Sequence, residues 1–213
     1  MCTQLKLGLA VALIVGCVAV DATAQQRRLR GERNRQQGSQ QIQQTAGTAT
    51  DSYAGSQNSV DKQFAACLLQ ANQAEVKLAK IAAEKADSPA VKQFADEMIQ
   101  AHTALANKLQ QLVGNQQPND RRSQIERQIN DRCLALLEQE LSSKTGKEFD
   151  ACYLGSQIGG HMHMKAALEV LADETTGELQ QIAQDARPTV EQHFKHAQDL
   201  MRQVDQRQAN AGS

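Results

Sequence analysis

Residues 61–113 read DKQFAACLLQANQAEVKLAKIAAEKADSPAVKQFADEMIQAHTALANKLQQLV, and this stretch decides the fold. On both sides of its centre, apolar residues recur three and four positions apart, the spacing of a helix with one buried face. The centre itself, ADSPAVK, is a stop followed at once by a start: Ser88 suits a helix N-cap and Pro89 a first helical position. The reading is one helix over 61–86 and a second over 89–113, each roughly 37–39 Å long at 1.5 Å per residue. A turn this short forces two such helices to lie antiparallel.

The same grammar continues outward. Gly114 ends the second helix, NQQPND is a loop, and Asp120 caps a third helix over 121–143. KTG at 144–146 breaks the chain before a fourth helix over 147–173. Thr176 and Gly177 then turn it into a fifth over 178–206, expected to bend or restart at Pro188. Four long helices in two hairpins, with the third helix carrying the chain back along them, predict an all-α, ferritin-like four-helix bundle with an additional crossover helix. A five-helix up-and-down array is the alternative.

Composition agrees. The 213 residues include no Trp, three prolines and 3% aromatics. Ala, Leu, Gln, Lys and Glu fill the long segments, as helices require. A net charge of −1 gives no sign of nucleic acid as a partner.

The N-terminus reads as a targeting segment. Lys6 precedes an apolar run over 7–20, and Ala22-Thr23-Ala24 supplies a small-residue cleavage site. The expectation is a signal peptide over 1–24 and a periplasmic or envelope location. A second reading takes IVGC at 14–17 as a lipobox with Cys17 lipidated; Val18 and Val20 after it argue against that. Residues 25–58, rich in Gln, Arg, Gly, Ser and Thr, read as a disordered tether before a bundle domain over 59–206 and a flexible tail over 207–213. Arg27, Arg28, Arg30, Arg33 and Arg35 could draw the tether to an anionic envelope surface; a soluble linker explains them equally well.

Cleavage leaves Cys67, Cys133 and Cys152, an odd number, read as small buried hydrophobes. With the first and fourth helices antiparallel, Cys67 and Cys152 lie about 12 and 13 Å to opposite sides of the bundle's middle. A disulfide needs Cα atoms within about 7 Å, so no Cys67–Cys152 bond is expected.

The buried stripes carry the chemistry. The first helix shows Phe64, Cys67, Ala71, Glu75, Leu78 and Ala82; the second Val91, Phe94, Met98, His102, Leu105, Leu109 and Leu112. The fourth shows Phe149, Tyr153, Gln157, His161, Met164, Leu168 and Leu171; the fifth Ile182, Ala186, Thr189, His193, Ala197, Leu200 and Val204. Each therefore places a carboxylate or an imidazole on its dry face. Glu75, His102, His161 and His193 sit about 14, 13, 14 and 15 residues into their helices, hence within a few Å of one level. Unpaired polar groups in a core cost several kcal/mol, so the four must satisfy one another or hold something. One carboxylate and three imidazoles could bind a transition-metal ion, Zn, Fe or Cu.

The spelling HMHM at 161–164 suggests a copper box, but helix geometry separates its members. His163 points away from His161, while Met164 shares the face of His161 and Met98 that of His102. Met162 and His163 are read as surface or flanking positions, and a methionine stripe at helical spacing is ordinary core. Gly159 and Gly160 could thin the fourth helix beside His161 and admit a neighbour. His196, one turn after His193, could touch the site from its edge, although a solvated role suits it better.

These segments resemble a known family, the ferritin-like bacterial domain of unknown function numbered 4142. The likeness covers about 60–205 and rests on FAACLLQANQAEVKLAKIAAEKADSPAVKQFADEMIQAHTALANKL, GKEFDACYLGSQIGGHMHMKAALEV and RPTVEQHFKHAQDL. It implies an exported or lipid-anchored helical bundle, with the family's Glu and three His falling on Glu75, His102, His161 and His193. Its ordered motif falls on Phe149, Asp150, Tyr153, Gln157 and His161. Two histidines in HMHM depart from the family's single one. The likeness to ferritins proper is architectural only, since a di-iron site needs Glu-x-x-His motifs and here Ile99, Ile158 and Val190 stand three before the histidines. Asp96, Glu97 and Glu191 lie off the stripes.

The sequence shows no nucleophile beside a base and no phosphate-binding glycine loop, so an enzyme is the weakest reading. Two others compete: a metal-binding envelope protein, and a metal-free structural or stress-related bundle whose polar layer fixes helix register.

Overall fold

The computed structural model describes residues 46–115 and 119–211, with side chains over 59–115 and 119–207. The expected leader, Cys17, the arginines at 27–35 and residues 25–45 lie outside them. Five helices follow in order: α1 (Ala46–Lys85), α2 (Pro89–Val113), α3 (Arg121–Ser142), α4 (Gly146–Glu174) and α5 (Gly177–Ala211). The turns are those expected. Asp120 caps α3, its Oδ1 accepting from Ser123 N at 3.0 Å, and Gly114 ends α2 with a positive φ of 68° that a side chain would resist.

Two boundaries differ from expectation. α1 begins at Ala46 rather than 61, so 46–58 is helical where a tether was expected. That stretch has no apolar stripe to reveal it; elongating an anchored helix is much easier than nucleating one. α5 runs through Pro188 as a single element instead of restarting there. The packed residues before and after the proline hold the helix despite the one missing N–H.

Hydrogen bonds between distant residues fix the direction of every helix. The α1–α2 turn is gripped by Asp150 at the start of α4, which accepts from Asp87 N and Ser88 N, both at 2.9 Å. Arg207, near the end of α5, donates to Ser88 Oγ at 3.3 Å. Lys85, at the end of α1, reaches the terminal carbonyls of α3 at Leu141 (3.3 Å) and Ser142 (3.1 Å), where a cation meets the negative end of the helix. So α1, α3 and α5 run one way and α2 and α4 the other. Hairpins α1–α2 and α4–α5 form the bundle, and α3 is the crossover lying against α1. The up-and-down array is excluded, because the two hairpins pack against each other through α1 with α4 and α2 with α5.

The core is divided. One apolar cluster includes Leu78, Phe94, Met98, Phe149, Tyr153 and Leu200; the other includes Leu69, Leu109, Met164, Leu168, Leu179 and Ile182. Between them lies a buried polar belt. The α4 stripe is buried at all seven expected positions. On α1 burial centres on Leu68, Asn72, Glu75 and Ala79, leaving Phe64, Cys67 and Ala71 half-buried; Leu105 and Leu112 of α2 are also half-buried. On α5 the stripe passes through Val190, and Thr189 is exposed.

Cys133 and Cys152 are free thiols, both half-buried, so no Cys67–Cys152 bond forms. Cys67 is disulfide-bonded, which corrects its reading as a small unpaired hydrophobe. Among the described residues, no helix is long and apolar enough to cross a membrane.

Candidate metal centre

The polar belt gathers His102 from α2, His161 from α4 and His193 from α5. Glu75 and His102 are nearly equidistant from the turn at Ser88, and in an antiparallel hairpin equal distance from the turn means equal height. Ring centroids are 5.5 Å apart for His102–His161, 5.6 Å for His102–His193 and 5.4 Å for His161–His193, a nearly equilateral triangle. One ligand atom from each lies within 4.8 Å of the other two. For comparison, a tetrahedral ion with nitrogens at ~2.0 Å sets imidazole centroids about 5.2 Å apart. The ring centres are therefore within a few tenths of an ångström of that spacing, and closure of the donor nitrogens onto an ion is a matter of ring rotation and small helix adjustment.

The outer nitrogens of two of the three rings are already committed. Asn72 Nδ2 donates to Leu68 O at 2.7 Å, so its Oδ1 is left as acceptor, and His102 Nδ1 donates to it at 2.8 Å. His161 Nδ1 donates to the Gln157 carbonyl at 2.9 Å. Each bond fixes the tautomer and turns the opposite lone pair inward, as partners behind metal-bound histidines do. Correspondingly, His102 Nε2, His161 Nε2 and His193 Nδ1 are buried with no protein partner.

Electrostatics keep the rings neutral. Burial pushes the His102 ring well below the usual imidazole range, helped by His161 and His193. Burial lowers His161 to about 4 against the opposing Gln157 carbonyl, and burial likewise lowers His193. Neutral imidazoles are what a metal requires, since protons compete for the same lone pairs.

Glu75 lies in the belt but is not in the three-histidine group. Its Oε2 accepts from Gln157 Nε2 at 2.8 Å, and burial raises its carboxyl to about 7 against that bond. Its other oxygen faces α4 at Gly160, where an added Cβ would stand 3.1 Å from Oε1. The glycine thus admits the carboxylate beside His161.

A domain of unknown function, DUF4142, matches residues 43–200. The chain belongs to this family. The DUF4142 match spans all four residues expected at the site, with α1 to α4 and α5 as far as Leu200. The searches of curated proteins and of solved structures returned no match.

Other expected residues take lesser places in this DUF4142 domain. Met98 and Met164 belong to opposite apolar clusters on either side of the belt. Met162 is 54% exposed, and His163 is half-buried outside the group. His196 pairs with Glu97 at 3.3 Å near the surface. Asn72 was not foreseen, though it lies three residues before Glu75 on the same face, which was the available signal.

Proposed function

We propose that this DUF4142 protein is an exported helical bundle that binds one transition-metal ion through His102, His161 and His193, with Glu75 beside it. The observation that carries the reading is convergence: three imidazoles from three helices bring unpartnered, buried ring nitrogens together. A belt serving only to fix helix register would pair its members with one another, as Asn72 and His102 are paired. Three nitrogens and no thiolate suit Zn, and also Fe or Cu. The leader over 1–24 directs the domain out of the cytoplasm, and the arginines at 27–35 hold it to an anionic envelope surface.

The experiment is elemental analysis of the full chain purified without chelator, beside a His102→Ala/His161→Ala double variant. About one ion per native chain and almost none in the variant is expected. Equal, near-zero metal in both ends the proposal.

A further inference from the structure

Building on the three-imidazole site, we propose that the metal keeps a fourth position open, walled by Glu75, Gln157 and Tyr153, and that this wall holds a water molecule on the ion. Among the described residues the donor group has three members. Glu75 is buried in the same belt and still stands apart from it.

Two buried side chains of α4, one and two turns before His161, are incompletely paired, and the farther of them, Tyr153, feels the Glu75 carboxylate. Gln157 Nε2 is bound to Glu75 Oε2, which leaves Gln157 Oε1 a buried acceptor with no protein partner. Tyr153 Oη also has none. Both residues are 0% exposed, and a buried polar group left unsatisfied is costly. Tyr153, Gln157 and His161 follow one another at four-residue steps, so they form one ladder on the buried face of α4. Glu75 Oε1 is pressed toward the same helix at Gly160, next to His161.

The chemistry of this wall selects its occupant. An apolar molecule would leave Gln157 Oε1 and Tyr153 Oη unpaired. An anion would face the Glu75 carboxylate. Water offers one lone pair to the metal and the other to the Tyr153 hydroxyl, which donates to it, and two hydrogens to the acceptors Gln157 Oε1 and Glu75 Oε1; its small size suits a site inside a close-packed bundle. Three protein ligands and one solvent position is the arrangement of metal sites that act on a substrate; closed sites use four protein ligands.

The test uses the full chain loaded with Co2+, titrated with azide and followed by the ligand-field absorption bands. Metal content is measured first and decides the three-imidazole reading separately. Azide should displace the water and shift the bands. Glu75→Gln should keep the azide-free bands those of a four-coordinate ion and tighten azide roughly tenfold by removing the facing charge. Tyr153→Phe should weaken azide roughly fivefold by removing one hydrogen bond. Bound Co2+ whose bands ignore azide, or lose their four-coordinate pattern on Glu75→Gln, overturns the open position while the three-imidazole site stands. Azide affinity unchanged in both variants overturns the wall. A chain that takes up no Co2+ overturns both readings.

Discussion

Two buried carboxylates, Asp150 at the end of the bundle and Glu75 at its middle, are treated in opposite ways. Asp150 is closed off by the fold: two backbone N–H groups of the α1–α2 turn point at its two oxygens. Burial still pushes its carboxyl above the usual range, opposed first by those two bonds. Glu75 accepts one hydrogen bond, from the Gln157 amide, and has a glycine opposite it and unpartnered polar atoms on the same helix. Fully paired, a buried acid becomes a fastener between elements; incompletely paired, it becomes available chemistry.

The largest effect should come from removing the fastener. Asp150→Ala leaves two turn N–H groups without their acceptor and detaches α4 from the α1–α2 turn. A loss of about 3 kcal/mol in urea unfolding is expected, with metal stoichiometry unchanged. If metal were lost and stability kept, the two carboxylates would have exchanged roles.

Glu75 should reveal itself through pH in the metal-free protein. Its folded-state pKa of about 7 exceeds its ordinary 4.5, so between these values the folded chain binds more protons than the unfolded one. Stability from this group is full below pH 4.5 and declines as pH rises through 7. Glu75→Gln removes the decline. Relative to the parent chain, the variant should gain up to roughly 3 kcal/mol across that window. Parallel stability curves for the two proteins would contradict the burial of this acid.

Asn72→Ala removes the acceptor behind His102 while leaving the three ligand nitrogens in place. Metal affinity should fall about 10- to 100-fold by competition titration, and a fall confined to stability would make Asn72 a core residue only. Gly160→Ala should have the smallest effect. Helix propensity gains about 1 kcal/mol, the contact with Glu75 Oε1 opposes it, and net stability should move by less than about 1 kcal/mol. A large loss would mean that Glu75 cannot yield.

The contrast also marks how far the sequence could be read. Periodicity places Glu75, His102, His161 and His193 in one belt because all four lie on apolar stripes, whose burial is a local property of each helix. It could not tell that the three histidines close into a triangle while Glu75 stands aside, since that depends on how the stripes are rotated against one another. Asp150 follows Phe149 and lies just off the stripe, and its partners are more than sixty residues away in sequence. Nothing local announces such a bond. The early start of α1 was hidden for the opposite reason: 46–58 has helix but no apolar face to mark it.

The most direct test of the central claim is X-ray absorption at the zinc edge on the full chain loaded with one equivalent of Zn2+. The account predicts three imidazole nitrogens at about 2.0 Å with one light oxygen neighbour, and loss of the imidazole signal in the His102→Ala/His161→Ala variant. A shell of solvent oxygens alone, or one dominated by sulfur, would contradict it.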